Sequence, residues 1–317
     1  MTTLTGGTVL KTRRAVAGVI VATGLMLPAT AEAQTCTWQR TDFTVPEPHY
    51  NVEVFGIGGD YAVGTAITDG TRIVRWHNGQ GTVLEPPAEG DFVWPVAVSA
   101  NGTVVAKQSA RGYVTKLDGT HQFLGTGDGE TAEPMSINGH GDVAGYVHGN
   151  GQSKNVVWSG SDYSKYEVYS MTNVGVAGID DTNALVTTNG VKYRSPKVGW
   201  PLQKAHGYKD VVVEEFDHGI AVGWTHKNGS RMALVWNDNS SLRVTIPSAV
   251  AYSANTRGTI IGSAGDGSPR LWRAGGMGVL PSPAPLYYAT FVTEDDRLVG
   301  TYKDSNDDGH AAAWSCS

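Results

Sequence analysis

Asp217-His-Gly-Ile-Ala-Val-Gly223, followed after a polar gap by Arg231-Met-Ala-Leu-Val-Trp236, is the stretch on which the fold turns. Asp217-His218-Gly219 reads as a turn into a short β-branched strand that ends at Gly223. Asn228-Gly229 reads as a hairpin turn, because both residues tolerate positive φ, and the next strand closes on Trp236. One hairpin of this length cannot bury its apolar face alone. What surrounds it must complete the structure.

The same phrase recurs along most of the chain. Seven copies end their strand at Gly64, Ala106, Gly145, Val186, Gly223, Gly262 and Gly300, 37 to 42 residues apart. A polar turn precedes each landmark, as in Gly59-Asp60, His140-Gly141-Asp142 and Asp295-Asp296, and an apolar strand follows. Five of those following strands end on tryptophan: Trp76, Trp158, Trp236, Trp272 and Trp314. Copies two and four are degenerate, with Leu117 and Tyr193 near the place of the tryptophan. A further strand often ends in proline, as in Val244-Thr-Ile-Pro247. A period of roughly 40 residues with four short strands per copy predicts an all-β, seven-bladed β-propeller. A β-sandwich pair would not require this self-similarity, and solenoid coils are shorter.

Closure supports the same count. The last copy stops at Ala311-Ala-Ala-Trp314-Ser-Cys316 without an outermost strand. Thr41-Asp-Phe43-Thr44-Val45-Pro46 repeats the apolar-Thr-apolar-Pro pattern of Val244–Pro247, so the N-terminal segment is expected to supply that strand. Cys36 lies just before it and Cys316 just after the third strand. A Cys36–Cys316 disulfide is expected to replace the missing covalent turn. Bridging the chain ends is worth about 5 kcal/mol as an upper estimate.

Lys11, Arg13 and Arg14 precede an apolar run from Ala15 to Leu27, and Ala31-Glu32-Ala33 is a good cleavage site. Residues 1–33 therefore read as a signal peptide cleaved near Ala33, and residues 34–317 as a single secreted domain. Arg13-Arg14 leaves a twin-arginine route open beside the general secretory one. The run is too short to span a bilayer, and no other stretch is apolar enough to do so. Thr35 is a poor residue before a lipidated cysteine. The 317-residue chain carries a net charge of -6, charged residues make up 17 % and there are 41 glycines. That balance speaks against a nucleic-acid partner and for turn-rich β structure.

Val143-Ala-Gly145 with Val156-Val-Trp158, Ala221-Val-Gly223 with Ala233-Leu-Val-Trp236, and Leu298-Val-Gly300 with Ala311-Ala-Ala-Trp314 carry a resemblance. The chain resembles secreted bacterial propellers built of HAF-type extracellular repeats, over essentially its whole mature length. The resemblance implies fold and compartment; its motif is structural and brings no catalytic residues with it.

Enzyme signatures are absent: no Gly-x-Ser-x-Gly elbow, no phosphate-binding glycine-lysine loop, no His-Glu-x-x-His. His140 and His218 occupy equivalent turns and read as turn residues, and the five recurrent tryptophans as packing between blades. Asp304-Ser-Asn306-Asp-Asp308-Gly309 matches the start of a calcium loop, yet Ser315 stands where the distal acidic ligand belongs. An acidic solvated turn is preferred there, and no other cofactor is expected. The residues that break the repeat lie in the connections leading to each innermost strand: Tyr50, Phe92 with Trp94, Glu133, Tyr208 with Lys209, Tyr252, and Tyr287 with Tyr288. Rings beside polar groups around one end of a channel suit a sugar. The expectation is a non-enzymatic, lectin-like module for extracellular or cell-surface carbohydrate, within reach of serving as a subunit of a larger secreted assembly. The alternatives are a scaffold for a secreted or cell-surface protein, and a carbohydrate- or lactone-active hydrolase or lyase using His49, Glu133 and His206 as acid/base groups.

Overall fold

The computed structural model of the chain describes residues 37–46, 48–88, 92–171, 174–273 and 288–316. Contacts divide the chain into two units, Met1–Gln34 and Thr35–Ser317, and the described residues all belong to the second. They form strands and turns without helices.

Strand β1 (Trp38–Asp42) is followed by an antiparallel meander of β2 (Tyr50–Gly58), β3 (Tyr61–Ile67), β4 (Thr71–His77) and β5 (Gln80–Leu84). A second comprises β6 (Val93–Val98), β7 (Val104–Gln108), β8 (Arg111–Thr115) and β9 (His121–Phe123). A third comprises β10 (Thr131–Ile137), β11 (Val143–Gly149), β12 (Gln152–Ser159) and β13 (Asp162–Ser170). Next come β14 (Val176–Ile179), β15 (Leu185–Thr187), β16 (Val191–Ser195) and β17 (Val198–Pro201). A single parallel bridge, Gly178 to Phe216, ties that sheet to β18 (Val212–Asp217), β19 (Ile220–Lys227), β20 (Ser230–Trp236) and β21 (Leu242–Pro247). Three strands follow, β22 (Ala249–Ala254), β23 (Thr259–Ala264) and β24 (Pro269–Arg273). The fourth strand expected at Gly278–Pro281 lies outside the described residues. Last come β25 (Tyr288–Val292), β26 (Leu298–Lys303) and β27 (Gly309–Cys316), with β1 paired outside β27.

The chain's beginning thus completes its last sheet, in a register that differs from the sequence expectation. The strand is Trp38–Asp42, with Thr41 opposite Ala313, and Phe43 donates its N–H to Ala311 O. In β21 it is Ile246 that lies opposite Ala233, the counterpart of Ala311, so Phe43 matches Ile246 rather than Val244. An edge strand exposed along most of its length has no apolar alternation to reveal its span. Thr44 has already crossed to the next sheet, bridging Gln80.

Apolar side chains collect in seven clusters among the described residues, each lying between two successive sheets. In β20, Ala233 and Val235 face the following sheet while Leu234 and Trp236 face the preceding one. Period-two alternation with both faces buried is why this strand reads as a continuous apolar run. The recurrent tryptophans occupy one register position, opposite Ala62, Val143, Ala221, Ile260 and Leu298. All five are 6 % exposed or less. Trp76, Trp158 and Trp236 also donate Nε1–H to Thr44 O, Gly125 O and Gln203 O, at 2.8, 2.8 and 2.7 Å. Each bond clamps one sheet to the chain leaving the preceding sheet, satisfying the indole donor that burial would otherwise orphan. In the degenerate copies Tyr193 does hold this position, opposite Leu185. In copy two the position belongs to Thr115, opposite Val104, and Leu117 is exposed.

Candidate functional site

The innermost strands β2, β6, β10, β14, β18, β22 and β25 touch one another in chain order, and β2 packs against β26 and β27. They surround a common axis. Each carries a register break at the same place, leaving Phe55, Val96, Met135, Ala177, Glu214, Tyr252 and Thr290 without a cross-strand partner. A β-bulge bends a strand and re-aims its extra side chain, and such devices cluster beside functional sites. The bulge explains the landmark glycines too. A Cβ at Gly64, Gly145, Gly223 or Gly262 would lie 1.8 to 2.3 Å from a carbonyl oxygen just ahead of the bulge. In copy four the residue in the landmark register is Thr187, opposite Val176, and not Val186.

Trp94, Glu133 and Tyr252 lie within β6, β10 and β22 rather than in the connections that precede them, where the sequence places them. Trp94 is 37 % exposed, its ring 4.6 Å edge-on from Phe55 and 5.8 Å from Phe92 in a near-parallel stack. Tyr50 opens β2 and is 55 % exposed. Further round, Lys107 Nζ pairs with Glu133 on β10, and the bulge residue Met135 is exposed. Trp224 Nε1 donates to the bulge carboxylate of Glu214 at 2.6 Å, and Arg231 lies over the Trp224 ring at 4.8 Å. Tyr252 Oη meets Ser263 Oγ at 2.8 Å with its ring exposed. Tyr208 is partly buried against the cluster around Phe216, with Lys227 Nζ 5.7 Å over its ring, and Lys209 is exposed. Tyr288 opens β25; its side chain and all of Tyr287 lie outside the described residues. Of the expected set, Trp94 is thus brought into one cluster with Phe92 and, unforeseen, Phe55. Tyr208 is drawn into the packing of its sheet.

The other end of the axis holds a cavity of about 270 Å³ lined by Ile57, Asp60, Glu215, Asp217, His218, Ser253, Val292, Glu294 and Arg297, among others. Glu215 follows the bulge of β18, where the other inner strands place Gly56, Ala97, Ser136, Gly178, Ser253 and Phe291. Burial pushes the Glu215 carboxyl up to about 8, and the Asp217 charge adds to the shift. His218, with φ of 47°, sits in a two-residue turn with Nδ1 2.8 Å from Asp217 Oδ2. That hydrogen bond holds its imidazolium, raised to about 9 against a smaller opposing effect of burial. Sequence reading treats Asp217 and His218 as turn residues and passes over Glu215. The available signal is a Glu-Glu pair inside an innermost strand.

The acid/base candidates are placed apart from this cavity. Glu133 is held by Lys107, His206 is exposed in the connection after β17, and His49 precedes β2. In the Asp304 turn, Asp304 Oδ1 accepts from the N–H groups of Asn306 and Asp308 at 2.8 and 3.1 Å, and His310 Nε2 lies 3.2 Å from Oδ2. Those backbone bonds stabilise the turn itself. Asp118, Asp162 and Asp266 make the same bond to an N–H two residues on, so the motif repeats ordinary turn chemistry. Among the described residues no group of three or more His, Cys, Asp or Glu is arranged to hold a metal.

No known protein-family profile matches the chain. No curated protein matches it either. Solved structures do. One, described as YCF48 bound to D1 peptide, superposes with a TM-score of 0.51 at 10 % identity, covering 87 % of this chain and 95 % of that one. The fold is that of a β-propeller. A structure from an analysis of two prolyl endopeptidases gives a TM-score of 0.54 at 13 % identity over 84 % of this chain, which spans half of that one. BamB from Moraxella catarrhalis gives 0.43 at 12 % identity, covering 88 % and 96 %. At these identities the likeness concerns fold alone. Among the described residues no helix is long and apolar enough to cross a membrane.

Proposed function

We propose that the chain is a secreted, non-enzymatic binding module that recognises extracellular or cell-surface carbohydrate at the ring-lined mouth of a seven-bladed propeller. The observation that carries the reading is the Phe55–Trp94–Phe92 group, two of whose rings stand in solvent although the repeat asks for no aromatic there. An apolar ring face stacks on the C–H face of a pyranose, while Lys107, directly opposite Trp94, and its partner Glu133 supply donors and acceptors for its hydroxyls. The count of seven follows if the eight-stranded sheet is two blades sharing one bridge. Closure by a Cys36–Cys316 disulfide is supported by the pairing of Trp38 with Cys316, two residues beyond Cys36. Secretion rests on the leader sequence and on the resemblance to HAF-type repeats. A glycan array is the test: retention of defined polysaccharides by the wild type and their loss in Trp94→Ala support the reading. An empty array, or retention indifferent to that change, overturns it.

The cavity around Glu215 favours a second reading, an extracellular carbohydrate- or lactone-active hydrolase or lyase. A carboxyl raised to about 8 is protonated at neutral pH and suited to act as a general acid, with Asp217 and the His218 imidazolium beside it. The acid/base role then passes to Glu215 from Glu133, His49 and His206. Turnover of any polysaccharide or lactone that Glu215→Gln abolishes would establish it. Turnover untouched by that change, or none across a broad panel, would dismiss it.

A further inference from the structure

We propose that the chain carries a second saccharide site on its outer rim, built around Trp200, for a neutral hexopyranose unit. The proposal rests on the reading that the protein binds carbohydrate, and it places a contact far along the sheet from the innermost strands. Trp200 belongs to the outermost strand β17 and is no part of the recurrent tryptophan set, all of whose members are buried. Its ring is 50 % exposed and makes no hydrogen bond, ring contact or cation contact within the described residues. An indole left this open on a rim of polar residues is a platform awaiting a partner.

Beside it lies an open cleft of about 490 Å³ bounded by Lys192, Arg194, Trp200, Pro201, Gln203 and the turn Asn239–Ser241. One wall is the outer half of the β14–β17 sheet and the other is the β20–β21 turn of the next sheet. Lys192 lies directly opposite Trp200 in register, so both side chains leave the same face of the sheet. Lys192 is fully buried, and its Nζ donates to Asp238 O at 2.8 Å and Oδ1 at 2.6 Å. Arg194 Nη2 donates to Asp238 O at 3.0 Å. These bonds fix the cleft floor and pin the β20–β21 turn to the Trp200 wall. Gln203 is locked as well: its N–H donates to Ser240 O at 2.9 Å and its Oε1 accepts from Leu242 N at 2.9 Å. Gln203 Nε2, Asn239 Nδ2 and Ser240 Oγ are left without partners among the described residues, at the edge of the cleft.

The chemistry selects the ligand. A flat ring with amide and hydroxyl donors around it matches the C–H face and hydroxyl edge of a pyranose. Lys192 and Arg194 both face Asp238, and Asp180 Oδ2 lies 3.9 Å from Lys192 Nζ, so two carboxylates balance the two cations. No surplus positive charge is left to recognise a carboxylate, so a neutral hexose is favoured over a uronate.

The test follows tryptophan indole N–H signals by NMR while the full mature protein is titrated with methyl glucoside, methyl mannoside, methyl galactoside and methyl glucuronide. Trp200→Phe and Trp94→Phe assign the two resonances. The proposal expects a saturable shift of the Trp200 signal with at least one neutral glycoside, weakened tenfold or more in Gln203→Ala and unchanged in Trp94→Ala. An unmoved Trp200 signal overturns it, as does a response to the glucuronide alone. A shift at Trp94 without one at Trp200 defeats the rim site and leaves the mouth reading standing. A shift at Trp200 alone does the reverse.

Discussion

At the scale of single residues, fully buried Trp236 and half-buried Glu215 show two consequences of leaving water. Trp236 fills the slab between two sheets and spends its N–H on Gln203 O, so both its apolar body and its polar tip are satisfied. Trp236→Ala should cost about 3–5 kcal/mol in urea-induced unfolding, more than any exposed tryptophan treated the same way. Glu215 is the opposite case, a carboxyl whose raised pKa records an unfavourable charge. Its folded pKa of about 8 exceeds the usual 4.5, and that of His218, about 9, exceeds 6.5. Both groups therefore hold protons more tightly in the folded state. Their contribution is complete at low pH and is lost as pH rises through the folded values. Melting temperature should fall from pH 5 to pH 9, and Glu215→Gln should flatten the part of that fall below pH 8. A wild-type profile that rises over this range would contradict the assignment. The tryptophan role was legible because it recurs. Glu215 was not, because its meaning depends on a bulge that turns it toward the axis, and a bulge leaves no mark on composition.

Among the elements, the inner hairpin of each sheet is the unit that the repeat encodes. The landmark glycine was readable as a spacing, but its cause is three-dimensional: the bulge carries a carbonyl to where a Cβ would stand. For Gly223 that oxygen, from Val212, lies 2.0 Å away. Gly223→Ala should destabilise by about 1–3 kcal/mol through forced backbone movement. Gly229, at φ of 81° in the hairpin turn, has nothing within 4 Å of a Cβ. Gly229→Ala should cost about 1 kcal/mol from conformation alone. Paired chemical-denaturation curves measure both, and equal costs would show that the bulge contact is absent. Copy four illustrates the limit of spacing. Its landmark falls one residue early because Thr187 has neither the glycine nor the alanine used elsewhere.

For the molecule as a whole, stability is shared among slabs between sheets, so the ring depends on how its first and last strands meet. Strand β1 is held to β27 by backbone pairing and is mostly exposed, offering little apolar burial of its own. If Cys36 and Cys316 are joined, reduction under native conditions should lower stability by about 2–5 kcal/mol, and Cys316→Ser should match the reduced wild type. Insensitivity to reductant would show that closure does not depend on the bond. The ring architecture was legible from the period, and closure from the missing last strand. The proposed ligand surfaces were only half legible: Tyr50, Phe92 and Trp94 stood out by breaking the repeat. Phe55 was hidden inside a strand, and Trp200 inside a degenerate copy with no pattern to break. The central claim is carbohydrate recognition at the mouth, and calorimetric titration of an array-selected oligosaccharide into wild type and Trp94→Ala tests it most directly. Recognition by the mouth predicts saturable binding that weakens at least tenfold in the variant, whereas equal affinity in the two proteins would contradict it.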